Sequence, residues 1–229
     1  MPLAGKGMLL TSMDIDPSDE ADFNRWYDRE HLVERVTIEG FLEARRYVAH
    51  RGSPKYLCLY STATFDVLDS PAYRAAVKNP TEWSRVNLAR FKNMIRTIAR
   101  VTITRGQGRG AALGVIRLRP AAGSEHELRA SLGEKLDPEA LDGIISMHLI
   151  ESDRALSKPL TQDPPVSDPG AGDWFVLIDG TNPTVVSDAI AMRLNEASLF
   201  PRGTLITAGT YSLMWDLGRI DLQSPQKDG

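Results

Sequence analysis

The order in which strand-forming and helix-forming stretches alternate constrains this chain more than any single motif, because one series of six elements is followed by a second in the same order. Met8–Ile15 has the pattern of a strand. Pro17-Ser18-Asp19 opens a helix that the periodicity carries to about Val36, with Ser18 or Asp19 as N-cap and acids in its first turn. Phe41–His50 and Lys55–Thr64 are strands joined by the hairpin signal Arg51-Gly-Ser-Pro54. Ser70–Phe91 is helical with a break at Asn79-Pro80, since proline cannot continue the hydrogen-bond ladder. Ile95–Arg105 alternates as a half-buried strand should. The same order then returns: strand Ala112–Arg119, helix Ser124–Leu136, strands Ile144–Glu151 and Trp174–Asp179, helix Pro183–Ala197 and strand Thr204–Leu217.

Each series is β-α-β-β-α-β, the ferredoxin-like arrangement in which two helices cover one face of a four-stranded sheet and leave the other open. Two open faces in one chain have an obvious partner in each other. The expected fold is therefore α+β, with two tandem ferredoxin-like units, residues 1–105 and 111–229, forming an intrachain dimeric α/β barrel. Residue identity between the halves is negligible, so this rests on element order. Gly106-Gln-Gly-Arg-Gly110 leads into a strand and not a helix, which makes it a linker and not a phosphate loop. Arg154–Asp173 carries four prolines inside what should be a plain hairpin and is expected to be a surface loop.

With 27 basic and 30 acidic residues the net charge is −3, which argues against a nucleic-acid footprint. No apolar run is long enough for a membrane helix, and Met1-Pro-Leu-Ala-Gly-Lys6 has no signal-peptide pattern. The one cysteine, Cys58, fits a reducing cytoplasm. Residues 1–105 hold 16 Lys+Arg, 13 Asp+Glu and 11 of the 16 aromatic side chains, so a ligand pocket is expected in the first half.

Within that half the informative stretch is Phe23-Asn-Arg-Trp-Tyr-Asp-Arg-Glu-His-Leu-Val-Glu34. On an ideal helix, at about 100° per residue, Phe23, Trp26, Tyr27 and Val33 define an apolar face, Glu30 and Glu34 fall in its middle and His31 lies on its flank. Burying carboxylates there is costly unless they are paired or protonated, and an acid pair at i, i+4 pushes one towards general acid or base work. The alternative is that they swing to solvent or only neutralise Arg45 or Arg46. On the next strand Phe41, Glu43, Arg45 and Tyr47 share one face, and Leu42, Ala44, Arg46 and Val48 the other. Arg46, on the more apolar face, wants a buried anion, either Glu30/Glu34 or a substrate. Tyr60 needs a partner for its hydroxyl, and Cys58 has the setting of a core residue. His50 and His126 are expected at the surface, and His148 in the core or at the surface. Haem binding would need an axial ligand such as His148 over a large apolar cavity. No paired cysteines, HExxH, GxSxG or nucleotide fingerprint is present, so no metal or cofactor is expected.

Phe23–Leu32 resembles the helix signature of the EthD-like proteins of the dimeric α/β-barrel superfamily, in which an aromatic pair precedes a histidine by four or five residues. Gly40–Tyr47, Ser70–Tyr73 and Asn79–Trp83 resemble a largely uncharacterised bacterial branch of it. The resemblance covers residues 8–105. It implies a pocket between helices and sheet for a hydrophobic, aromatic or polyketide-like small molecule. It makes His31 the first choice for acid/base work, with Trp26 and Tyr27 shaping the pocket. Glu30, Arg46, Tyr47 and Trp83 match recurrent positions of the branch. The resulting expectation is a cofactor-independent isomerase, lyase, cyclase or monooxygenase in which His31 moves a proton, assisted by Glu30, and Arg46 or Tyr60 holds an oxyanion, with Glu34, Tyr47 and Trp83 against the substrate. The alternative is a non-catalytic barrel using the same groups, and pairing into a homodimer is left open.

Overall fold

The computed structural model describes residues 3–157 and 171–222. Eight antiparallel strands close into one barrel in the order β1-β3-β2-β8-β5-β7-β6-β4. They are β1 (Gly7–Asp14), β2 (Phe41–Arg51), β3 (Tyr56–Thr62), β4 (Lys92–Gly106), β5 (Ala112–Pro120), β6 (Ile144–Ser152), β7 (Trp174–Gly180) and β8 (Gly203–Gly218). The first four form one contiguous sheet and the last four another. The seams are the pairs β2 with β8 and β4 with β6.

The helices are α1 (Glu20–Trp26), α2 (Leu32–Thr37), α3 (Pro71–Lys78) and α4 (Glu82–Ala89) in the first half, then α5 (Glu125–Lys135), α6 (Pro183–Arg193) and α7 (Glu196–Leu199). The break at Asn79-Pro80 separates α3 from α4, whose N-cap Thr81 accepts from the Ser84 N–H. The helix expected over Pro183–Ala197 is two pieces, because Asn195 caps a new turn by accepting from the Ser198 N–H. Most of the expected loop 154–173 lies outside the described residues.

Three apolar layers follow. Each half packs its own helices on one sheet face. The other faces of all eight strands meet inside the barrel, around Met8, Leu10, Tyr47, Leu57, Leu113, Phe175 and Leu177. The halves correspond in detail at their second strands. Gly40 (φ +85°) and Gly143 (φ +76°) each precede the strand in a left-handed turn that other residues resist. A bulge then follows, between Phe41 and Glu43 in β2 and between Ile144 and Ser146 in β6. The first bulge corrects the simple alternation, since Phe41 joins Ala44 and Arg46 on the helix side while Glu43, Arg45 and Tyr47 turn into the barrel. In register, Arg46, Cys58 and Tyr60 stand where Leu149, Val176 and Ile178 stand in the second half.

Candidate functional site

The Phe23–Glu34 segment is not one regular α-helix. Between α1 and α2 the chain makes a π-helical turn over Tyr27–His31, and the Leu32 N–H donates to the Tyr27 carbonyl five residues back. One extra residue in the turn rotates everything after it by about 100° relative to an ideal helix. His31 thereby moves from the flank to the buried face, at 6% exposure, while Glu30 and Glu34 leave the middle of that face and are only half-buried. Val33, expected on the apolar face, is exposed for the same reason.

His31 sits in an aromatic cage. Its ring stacks on Trp26 at 4.2 Å between centroids and meets Tyr27 edge-on at 5.1 Å and Tyr60 at 6.4 Å. Burial, with Arg35 and Arg46 nearby, holds its pKa well below the usual histidine value, so it is a neutral imidazole at pH 7. Its Nδ1 is buried without a hydrogen-bond partner, with Glu34 Oε2 at 3.7 Å. The Tyr60 hydroxyl lies among Tyr27 and Cys58 without a hydrogen bond of normal geometry, and burial raises the pKa of all three, the Cys58 thiol to about 11. Glu30 is held on the far edge of Trp26, accepting from Trp26 Nε1 (3.2 Å), Thr81 Oγ1 (2.6 Å) and Ser84 Oγ (3.3 Å). Ser84 also accepts from Trp26 Nε1 at 3.1 Å. The sequence pattern did not single out Ser84 and Thr81; their signal is the Thr-x-x-Ser start of α4, which reads only as a cap.

Arg46 does meet the helix layer, but its anion is neither Glu30 nor Glu34. It donates to Asp28 Oδ1 at 3.0 Å and Asn24 Oδ1 at 2.5 Å, residues four apart on the helix, and its guanidinium lies over Phe23, Tyr27 and Tyr56 at 4.4–5.2 Å. Fully buried, it has Nε as its one unpartnered nitrogen. Two expected ligand contacts are not brought here. Tyr47 is inside the barrel, on the opposite face of β2. Trp83 packs outside α1, with its indole donating to Asp22 and Arg25 above its ring.

A second polar cluster lies in the barrel interior. Arg45 reaches Asp179 of the other half at 3.4 Å and lies 3.8 Å from Glu43. Glu43 accepts from Ser61 and from Arg109, and Asp179 lies at the Ser146 hydroxyl. His148, in register with Arg45, contacts Ser146 Oγ at 3.1 Å and Thr104 Oγ1 at 3.3 Å. Burial and the Arg45 charge push its pKa down to about 3. Among the described residues, no grouping of His, Cys, Asp and Glu is spaced to hold a metal ion, and no helix is long and apolar enough to cross a membrane.

No family profile matches the sequence, and no curated protein is similar to it. Solved structures are. An anthrone oxidase-like protein superposes with a TM-score of 0.64 at 9% identity, covering 98% of both chains. A protein from Lactobacillus acidophilus described as a candidate monooxygenase gives 0.55 at 7%, covering 94% of this chain and 97% of its own. The likeness is one of fold, a closed barrel of eight antiparallel strands with helices packed outside it. A heme-binding protein from Thermus thermophilus shares it, with a TM-score of 0.51 at 11% identity over 94% and 95% of the two chains. Among the described residues, those around His148 do not fit a haem. His148 faces the barrel interior with both ring nitrogens engaged, and the helix–sheet layer of the second half is filled by Leu118, Leu128, Leu132, Leu149, Val176 and Ile178.

Proposed function

We propose that this chain is a small-molecule enzyme that moves a proton on a flat hydrophobic or polyketide-like substrate, using neutral His31 as the base. The observation that carries this reading is a histidine turned into an aromatic cage by a π-helical turn, with one ring nitrogen unpaired. A neutral imidazole in apolar surroundings is a poor base alone, because burial opposes its charged form. In this reading an enolate or phenolate formed beside it supplies the missing counter-charge, and the Tyr60 hydroxyl, which is buried without a hydrogen bond, donates to that oxygen. Arg46 acts as a positioning residue, fixing Tyr27 and Tyr56 from behind. Glu30 positions Trp26 through its indole N–H. Anthrone-type molecules, named in one fold neighbour, have the chemistry this reading calls for, since loss of a ring C–H proton gives a flat delocalised anion. The halves 1–105 and 111–229 are, in this reading, ferredoxin-like units of an EthD-like barrel, and no cofactor takes part in the proton transfer.

One observation favours a second reading, a non-catalytic barrel: Arg46 is already engaged by two polar groups and three rings. A panel of anthrones, polycyclic phenols and aromatic lactones incubated with wild type, His31→Gln and Tyr60→Phe separates the two. The enzyme reading expects turnover that falls at least ~100-fold in His31→Gln, with the fold retained. Absence of turnover across the panel, with the variants altered only in stability, sinks it.

A further inference from the structure

The histidine of the cage has an unused nitrogen, and an acid with unused capacity stands beside it. At the end of the π-helical turn, His31 and Glu34 are three residues apart on one helical face, where side chains meet. Glu34 Oε2 lies 3.7 Å from His31 Nδ1, and among the described residues it is the one carboxylate within 4 Å of that ring. Nδ1 itself is buried without a hydrogen bond. The plane of the ring is set by its stacking on Trp26, whose indole N–H is in turn shared by Glu30 and Ser84.

The two glutamates are unequally occupied. Glu30 Oε1 accepts from Trp26 Nε1, the Thr81 hydroxyl and the Ser84 hydroxyl. Glu34 Oε2 has only the Ser84 hydroxyl, at 3.5 Å, and that hydroxyl has a single proton with Glu30 nearer to it at 3.3 Å. The Glu34 side chain is 34% exposed, so small rotations can close the gap of about 0.8 Å to an ordinary N–H···O distance. The other charges at the ring, Arg35 and Arg46, carry donors only and cannot accept from Nδ1–H.

We infer that Glu34 is the positioning residue of His31: it holds the imidazole as the Nδ1–H tautomer and leaves the Nε2 lone pair as the one that accepts a proton. The tautomer stands on this geometry alone, and its catalytic meaning rests on the reading of His31 as the base. When Nε2 takes the substrate proton, the electron pair of the broken C–H bond passes to the enolate or phenolate, and the ring becomes an imidazolium. Glu34 stays a carboxylate throughout and meets that charge, against the opposition of burial, Arg35 and Arg46. The acid expected against the substrate thus stands behind the base.

The test is the ¹⁵N NMR spectrum of the His31 ring in the full chain at neutral pH, assigned by its loss in His31→Gln. Long-range couplings show which nitrogen carries the proton. The wild type is expected to carry it on Nδ1. In Glu34→Ala, whose dispersed spectrum reports that it is folded, it is expected to move mostly to Nε2, while Glu30→Ala keeps it on Nδ1. A wild-type proton on Nε2, an unchanged tautomer in Glu34→Ala or an equal change in Glu30→Ala overturns the inference. On any aromatic compound that turns over, Glu34→Ala is expected to lower kcat at least ~10-fold with KM altered less than about threefold. Full kcat alongside a changed tautomer overturns Nε2 as the accepting nitrogen. A wild type that shows the Nδ1–H tautomer but no turnover sinks the enzyme reading and upholds the pairing of Glu34 with His31, so the two failures are told apart.

Discussion

Where the first half sets Arg46, Cys58 and Tyr60 against its helices, the second sets Leu149, Val176 and Ile178 at the equivalent register. The helices follow suit: Phe23, Trp26, Tyr27 and His31 on one side, Leu128, Leu132, Val186 and Ala189 on the other. The backbone topology thus closes well over a plain aliphatic layer. The polar groups of the first half are not something the fold requires, and each carries a desolvation cost that an aliphatic residue would not. That is the physical ground for looking for chemistry in the first layer and for stability alone in the second.

Exchanging residues across this correspondence is the most severe way to break it. Leu149→Arg places an unpaired charge in the aliphatic layer and is expected to cost about 4 kcal/mol or more in urea unfolding, enough to threaten folding. Asp179→Ala strips the main partner from Arg45 in the shared barrel interior, and a loss of about 3 kcal/mol is expected by the same measurement. The reverse exchange, Arg46→Leu, should be milder, about 1–2 kcal/mol, because half-exposed Asp28 can be rehydrated while three rings lose a cation–π partner. Equal costs for Leu149→Arg and Arg46→Leu would contradict the contrast between the layers.

The histidines sharpen it through pH. His31 and His148 both have folded pKa values depressed below the unfolded 6.5, so the unfolded chain binds protons that the native chain does not. Their contribution to stability is complete above about pH 6.5 and is lost on acidification, at up to about 1.4 kcal/mol per pH unit for each group. His31→Phe should remove one such increment, seen as a flatter dependence of the urea midpoint between about pH 6.5 and 4.5. An unchanged slope would mean that His31 is hydrated. The smallest effect is expected of Glu30→Gln, roughly 0.5–1 kcal/mol, since its hydrogen bonds lie half in solvent.

The order of strands and helices was legible in the sequence because each element carries its own periodicity and punctuation, as Asn79-Pro80 shows. What was not legible lies where local pattern meets a single extra residue or a distant partner. The bulge after Phe41 reassigns the faces of β2, and nothing in Gly40–Arg45 announces it beyond the glycine. Arg45 finds Asp179 across 134 residues of chain, which depends on how the two halves close and not on either one's pattern. The Asn24–Asp28 pair for Arg46 was readable in principle, being i, i+4 in sequence, but Glu30 and Glu34 offer the same spacing with two full charges on the ideal apolar face. Those glutamates and His31 changed places through the π-helical turn.

That turn stores the direction of His31 in the length of the chain and not in the identity of any side chain. A scan of single substitutions would leave the direction intact and could not discover what sets it. Removing one exposed residue, such as Arg29, would let the helix run on at its ordinary pitch and swing the imidazole out of its ring of aromatics with every functional group still present. In a lineage, the gain or loss of this one codon would act as an on–off mark for the buried histidine, visible as a gap in an alignment before any residue at the site had changed.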